Sequence, residues 1–172
     1  MSEIESINEL HSDLFSPEEV DRFSDPKTAR KKAMDYLARR EYGQRELEQK
    51  LIAAGFESAT ATETVDKLAG EGLQDDRRFI DNFVQSRINQ GKGPVRIRQE
   101  LGERDLDAVL IGAVLDDVAE DWYALARQIR EKKFGPDLPR DFREKARQMR
   151  FLQYRGFESG HIQAAVSPHG DA

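Results

Sequence analysis

The stretch GQRELEQKLIAAGF, residues 43–56, decides how the chain is read. Its apolar anchors Leu47 and Leu51 stand one helical turn apart, and Gly55 followed by Phe56 is a helix-ending pair. The stretch GPVRIRQELGERDL, residues 93–106, repeats the plan, with Ile97, Leu101 and Leu106 following Gly93 at the offsets (+4, +8, +13) at which Leu47, Leu51 and Phe56 follow Gly43. A third copy of the ending is Leu152, Gly156, Phe157, and the tetrapeptide Gly-Phe-Glu-Ser occurs at both 55–58 and 156–159. Shared spacing and shared punctuation predict tandem units of about 46–50 residues.

Working outward, the same punctuation predicts nine helices. Asp25-Pro26 opens the first, with Ala29, Ala33, Met34 and Leu37 inward and Gly43 closing it. The second runs to Gly55. Thr60 to Glu63 reads as a capping box for the third. Asp75 or Asp76 caps the fourth, which buries Phe79, Ile80, Phe83 and Val84 and stops at Gly91. Gly93-Pro94 starts the fifth and Asp107 caps the sixth. The seventh covers about 121–134, Asp141 caps the eighth through Met149, Leu152 and Tyr154, and Ser159 caps the ninth. No segment alternates with period two over a useful length. The fold class is therefore all-α: three tandem three-helix repeats stacked in an elongated, curved array, each too small to be comfortable alone. The expected boundaries are an acidic arm at 1–25, with a short helix at 17–23, repeats at 26–74, 75–120 and 121–167, and a tail at 168–172.

Composition narrows the function classes. The 172 residues include no cysteine, which excludes disulfides and thiol catalysis and argues against a zinc site. No apolar run is long enough for a membrane helix and the first residues lack a secretory pattern, so a cytoplasmic protein without a membrane partner is expected. No nucleophile elbow, zinc-protease helix or dinucleotide fingerprint is present, so neither an enzyme nor a cofactor is expected. His161, on a short helix, is read as a surface residue rather than a ligand.

The net charge of −6 hides its pattern. Residues 1–25 carry eight acids and one base. Beyond them, 27–50 hold eight bases and four acids, 57–76 one base and six acids, 77–104 seven bases and three acids, 105–121 six acids and no base, and 127–155 ten bases and four acids. The first two triplets thus begin basic and end acidic, and the third begins basic. The pattern is either a set of solvated helix faces or, if like charges fall on like faces, a basic stripe for a polymeric partner.

Individual motifs carry both readings. Asp75-Asp76-Arg77-Arg78 is better explained as a cap with a dipole partner than as a metal or acid pair. Gly91-Lys92-Gly93-Pro94 lacks the spacing of a phosphate-binding loop and reads as a helix stop and restart, gathering Arg87, Lys92, Arg96 and Arg98. Arg96 and Arg98 fall about 200° apart on a helix, so only one shares a surface with Arg87 and Lys92. The densest basic region includes Arg127, Arg130, Lys132, Lys133, Arg140, Lys145 and Arg155, and its Arg143, Arg147 and Arg150 share a helix face. Trp122, Tyr123, Phe134 and Tyr154 read as core or inter-repeat packing rather than a stacking platform for bases.

One stretch is more specific still. Leu73-Gln-Asp75-Asp76-Arg77-Arg78-Phe79, then Ser86-Arg87, then Gly91-Lys92-Gly93-Pro94-Val-Arg96-Ile97-Arg98-Gln99-Glu100-Leu101 closely resembles the signature of the bacterial RecX family, regulators of the RecA recombinase. Tyr36 to Arg40 with Glu46-Leu47 and Lys50-Leu51 is similar to the family's first unit, and Phe134-Gly135, Lys145 and Phe151 to Phe157 to its third. The chain departs from the pattern at Gly43, where the family often has a serine cap, and at Asp105, where a helix-ending glycine is usual; Asp tolerates that left-handed turn. The resemblance covers about residues 29–166 and leaves the acidic arm outside. It implies a non-enzymatic negative modulator that binds the RecA filament on single-stranded DNA along its groove. Such a modulator limits filament extension, ATP hydrolysis, strand exchange and co-protease activity in DNA repair, recombination and the SOS response. A monomer is expected. The expected contact residues, facing either RecA or DNA phosphates, are Arg77, Arg87, Lys92, Arg96, Arg98, Lys132, Lys133, Arg143, Arg147 and Arg150. The alternative is a stand-alone helical module that contacts DNA phosphates.

Overall fold

A computed structural model describes residues 22–168, and all regular structure among them is helical. The nine main helices are α1 (Pro26–Leu37), α2 (Gln44–Ala53), α3 (Ser58–Gly70), α4 (Asp76–Asn89), α5 (Pro94–Gly102), α6 (Ala108–Asp117), α7 (Trp122–Phe134), α8 (Phe142–Arg155) and α9 (Ser159–Val166). The acidic arm and most of the expected helix at 17–23 lie outside the described residues; residues 22–24 are helical.

The chain forms two compact units, one up to Asp76 and one from Arg77. In the first, α1, α2 and α3 pack pairwise. Ala29 and Ala33 let α1 lie close to its neighbours, while Leu47 and Leu51 of α2 and Ala61, Val65 and Leu68 of α3 fill the centre. Phe56 closes one end, with Phe23 meeting it edge-on at 5.9 Å. Thus the chain joins the core before α1 begins. The second unit holds α4 to α9 around one continuous core, to which α4 gives Phe79, Ile80, Phe83 and Val84, α5 Ile97 and Leu101, and α8 Leu152. The repeated anchors therefore do the same job in each repeat. Leu47, Leu51, Ile97, Leu101 and Leu152 are all fully buried.

The repeated tetrapeptide also has one local structure in both places. Gly55 and Gly156 take positive φ (+108° and +93°), and the following Phe N–H bonds back to the carbonyl of Leu51 (3.1 Å) or Leu152 (3.2 Å). This is a Schellman-type stop, in which the glycine avoids a Cβ penalty and the phenylalanine turns into the core. The Glu that follows, Glu57 or Glu158, is extended and is the cap of the next helix. Asp105 replaces glycine at the corresponding turn after α5, with φ +54°.

Two expected caps are corrected by this geometry. Helix α3 starts at Ser58, so Thr60 is not a cap; it and Thr64 are buried on the inward face. Helix α9 starts at Ser159 behind Glu158, and His161 completes the capping box, its Nδ1 accepting from the Glu158 N–H at 3.2 Å. His161 is consequently buried against Tyr123 and Phe157, not on the surface. Helix α4 starts at Asp76, which leaves Asp75 at the cap position, while Asp76 reaches another helix. Its carboxylate accepts from the backbone N–H of Gln44 (2.8 Å), supplying from outside the cap that Gly43 has no side chain to provide. Helix α1 stops at Leu37, earlier than Gly43, because the chain must return Tyr42 to the core. The caps expected at Asp25, Asp107 and Asp141 are formed.

Within the second unit the backbones of two repeats touch. Gly93 N–H donates to the Arg155 carbonyl and Val95 N–H to the Gly156 carbonyl, each at 2.9 Å. A Cβ on Gly93 would strike the Gly156 carbonyl, and one on Gly156 would strike Arg96. Gly93→Ala should therefore destabilise the second unit by about 3 kcal/mol, since backbone cannot yield as a flexible side chain does. Gly70→Ala, at a helix end with open space around it, should be neutral or stabilise by a few tenths of a kcal/mol up to ~1. Urea unfolding of the two variants checks both signs.

Candidate interaction surfaces on the second and third repeats

The turn between α4 and α5 gathers three of the expected contact residues around one acid. Arg87 Nε lies 2.6 Å from Glu100 Oε2, and Lys92 Nζ (3.0 Å) and Arg96 Nε (3.3 Å) both reach Oε1. Arg96 and Glu100 are one helical turn apart, so that pair was available from spacing alone. Arg87 and Lys92 arrive because the Gly91 turn, with φ +75°, folds the end of α4 back beside α5. All four side chains are between 17% and 31% exposed, which makes the ion pairs stronger than those of open surface. Burial raises the Glu100 carboxyl's pKa, but hydrogen bonds and positive charge from Arg87 and Lys92 outweigh it and hold the group down at about 2. A carboxylate so saturated is a fixed counter-ion rather than a proton carrier.

Arg96 also faces the third repeat. Its Nη1 donates to the Tyr154 carbonyl at 3.3 Å and its guanidinium lies 5.2 Å from the Tyr154 ring. Tyr154 is 74% exposed, correcting its expected place in the core: at the end of α8 it stands beside Arg96 on the outer surface. Between α5 and α8 runs a groove of about 400 Å³ that includes Val95, Gln99, Gln153 and Tyr154. A second groove, of about 430 Å³, follows the other flank of α8 past Phe142, Lys145, Met149 and Arg150. Gln153 lines both, and Phe142, 86% exposed, is a large apolar group that the sequence reading did not single out.

The remaining expected residues divide. Arg143, Arg147 and Arg150 are exposed on α8; Arg147 pairs with Glu144 at 3.2 Å and lies over Phe134. Lys132 and Lys133 are exposed in the last turn of α7, where positive charge suits the helix dipole. Arg77 reaches Asp117 at 2.6 Å, and Arg98 is exposed on α5 near Gly112. Arg130, counted in the same basic region, is 2% exposed. Its guanidinium holds the turn after α7 through the carbonyls of Asp137 (3.0 Å) and Pro136 (3.5 Å), so it serves the fold. Of the four aromatics expected to pack, Trp122 and Phe134 are half-buried, but Tyr123 is 47% exposed. Among the described residues no group of His, Asp and Glu could hold a metal ion, and no helix is long and apolar enough to cross a membrane.

Family models for the first, second and third three-helix domains of RecX match residues 29–68, 75–115 and 119–166. The chain belongs to the RecX family. It is 46% identical over 135 residues to the regulatory protein RecX of Halorhodospira halophila, covering 78% of this chain and 84% of that protein. With RecX of Pseudomonas entomophila it shares 43% over 142 residues, covering 83% and 92%. The crystal structure of RecX from Lactobacillus salivarius superposes with a TM-score of 0.71 at 19% identity over 86% of this chain and 96% of that one, a likeness of fold. In RecX terms, the Glu100 cluster lies in the second three-helix domain and α8 in the third. Residues 1–28 precede the matches.

Glu100→Gln tests the cluster. The stabilisation from a lowered carboxyl is complete above its ordinary pKa of 4.5 and disappears as pH falls toward about 2. The variant should lose about 2 kcal/mol near neutral pH, the scale of hydrogen bonds to charged groups. Urea midpoints of the two proteins should converge between pH 4.5 and 2.

Proposed function

We propose that this protein is a negative modulator of the RecA recombinase. It binds the RecA filament on single-stranded DNA along its groove and limits extension, and with it ATP hydrolysis, strand exchange and co-protease activity. It acts in the cytoplasm as a monomer, without catalysis of its own. Membership of the RecX family over all three repeats carries the reading. The surface of α8 supports it: Arg143 and Arg150 form no ion pair with any described residue, and the exposed Phe142 and Tyr154 stand at either end of the same helix. Exposed cations beside exposed aromatics suit an interface whose partner surface is acidic. Several repeats engaging a repeating polymer make weak contacts additive, so each need supply only a fraction of the binding energy.

A second reading, a module that binds DNA phosphates without RecA, uses the same free cations. It requires tight and strongly salt-dependent binding to bare DNA.

RecA-catalysed ATP turnover on single-stranded DNA should slow at substoichiometric amounts of the protein. Arg143→Ala/Arg147→Ala/Arg150→Ala should raise the amount needed for half inhibition about tenfold, equivalent to ~1.4 kcal/mol. Its own stability should change little, because the three side chains are exposed. Filament growth that continues unchanged at a large excess of the protein would exclude the proposal, and tight binding to bare DNA would favour the second reading.

A further inference from the structure

The first unit carries a groove of its own, about 600 Å³, along the outer side of α1. Arg22, Lys27, Lys31 and Lys32 line it, with Asp35 as its one acid and Phe56 beneath. Lys27 and Lys31 are one helical turn apart, and Lys32 is adjacent, so the charges form a compact patch on two turns. All four cations are exposed, and none forms an ion pair with a described residue. Elsewhere in this unit Arg30 is tied to Glu71 at 2.6 Å and Arg40 is tied to Glu46. The groove thus gathers four cations of this unit that no described acid neutralises.

The chain itself supplies a complementary segment. Residues 1–21 contain seven acids (Glu3, Glu5, Glu9, Asp13, Glu18, Glu19, Asp21) and no lysine or arginine. They also contain Ile4, Ile7, Leu10, Leu14 and Phe15, apolar groups able to cover a partly apolar floor. Their point of attachment is fixed. Phe23 packs on Phe56 and accepts from the Glu57 N–H at 3.1 Å, so the segment joins the body at Arg22, which is itself a wall of the groove.

We propose that residues 1–21 dock by their acids into the α1 groove of their own chain and act as an electrostatic cover for Arg22, Lys27, Lys31 and Lys32. A short tether holds the acids at an effective concentration on the order of millimolar, so a contact far too weak to form between separate molecules is substantially occupied. The cover gives way when a partner offers denser negative charge, or when salt screens the contact. This device is independent of the RecA reading. It concerns a segment that precedes the family matches and a groove that any anionic partner would have to uncover first.

The absence of cysteine makes the test clean. Ser6→Cys in the full chain is labelled with a nitroxide, and loss of amide signal is followed by NMR. Docking should remove most of the intensity at residues 27–35, and spare the far side of α3. The effect should vanish in about 0.5 M salt, where the Debye length is only ~4 Å, and in Lys27→Glu/Lys31→Glu/Lys32→Glu. Glutamates in the first turns of α1 suit the helix dipole, so that variant should fold, and the salt series stands without it. Diffuse broadening over the whole first unit, or broadening of α1 that survives both salt and charge reversal, would overturn the proposal. So would broadening seen only when a labelled chain is mixed with a second, isotope-labelled copy, because the contact would then lie between molecules.

Discussion

Two backbone segments of the second unit, Gly91 to Val95 and Arg155 to Phe157, meet without side chains between them. Two hydrogen bonds of 2.9 Å join them, and neither Gly93 nor Gly156 has room for a Cβ. The contact sets the start of α5 against the end of α8. It thereby places Arg96 within reach of both Glu100 on its own helix and Tyr154 on the next repeat. The groove between α5 and α8 follows from that approach. A larger residue at either glycine would separate the two helices and dissolve the surface as well as the packing.

The electrostatics follow from the packing of each triplet. Arg30 near the start of α1 pairs with Glu71 beyond the end of α3, and Arg77 near the start of α4 pairs with Asp117 at the end of α6, both at 2.6 Å. In the first and second repeats an arginine of the first helix thus meets an acid at the end of the third. The alternation of basic and acidic blocks along the chain is, in part, this internal complement folded back on itself. Such exposed pairs contribute little stability, at most ~1 kcal/mol each, but they consume charge that a composition count would assign to a partner. Cations with no ion pair to a described residue include Arg143 and Arg150 on α8, Lys132 and Lys133 at the end of α7, and Lys27, Lys31 and Lys32 on α1.

The helices and their repeat were legible because the signals are local. Glycine at a left-handed stop, aspartate or glutamate before a first turn, and apolar residues four apart each act over a few neighbours, and the two Gly-Phe-Glu-Ser copies adopt one conformation. What the sequence hid depends on contacts between distant residues. Nothing near Asp76 says that its carboxylate will cap Gln44, 32 positions earlier. Nothing near His161 says that Tyr123 will cover it, so a histidine on a short helix reads as surface. Arg130 counts as one more cation until the turn after α7 closes over it. Tyr154 shows the converse error. It is two residues from the buried Leu152, and about 200° around a helix from it, so its apolar ring argued for the core while its angle argued for solvent.

The same distinction governs which cations are available to a partner. Arg87, Lys92 and Arg96 look as free in the sequence as Arg143 and Arg150, yet Glu100 fixes the first three in place with a net charge of only +2. A cluster held in that way offers a rigid, partly desolvated positive surface, which costs little entropy to present. Arg143 and Arg150 of α8 offer charge on exposed side chains without an ion pair to a described residue, which must be ordered on binding. Under the function proposed above, the second repeat would supply directional contact beside Tyr154 and the third long-range attraction, a division that suits a partner of repeating structure and diffuse negative charge.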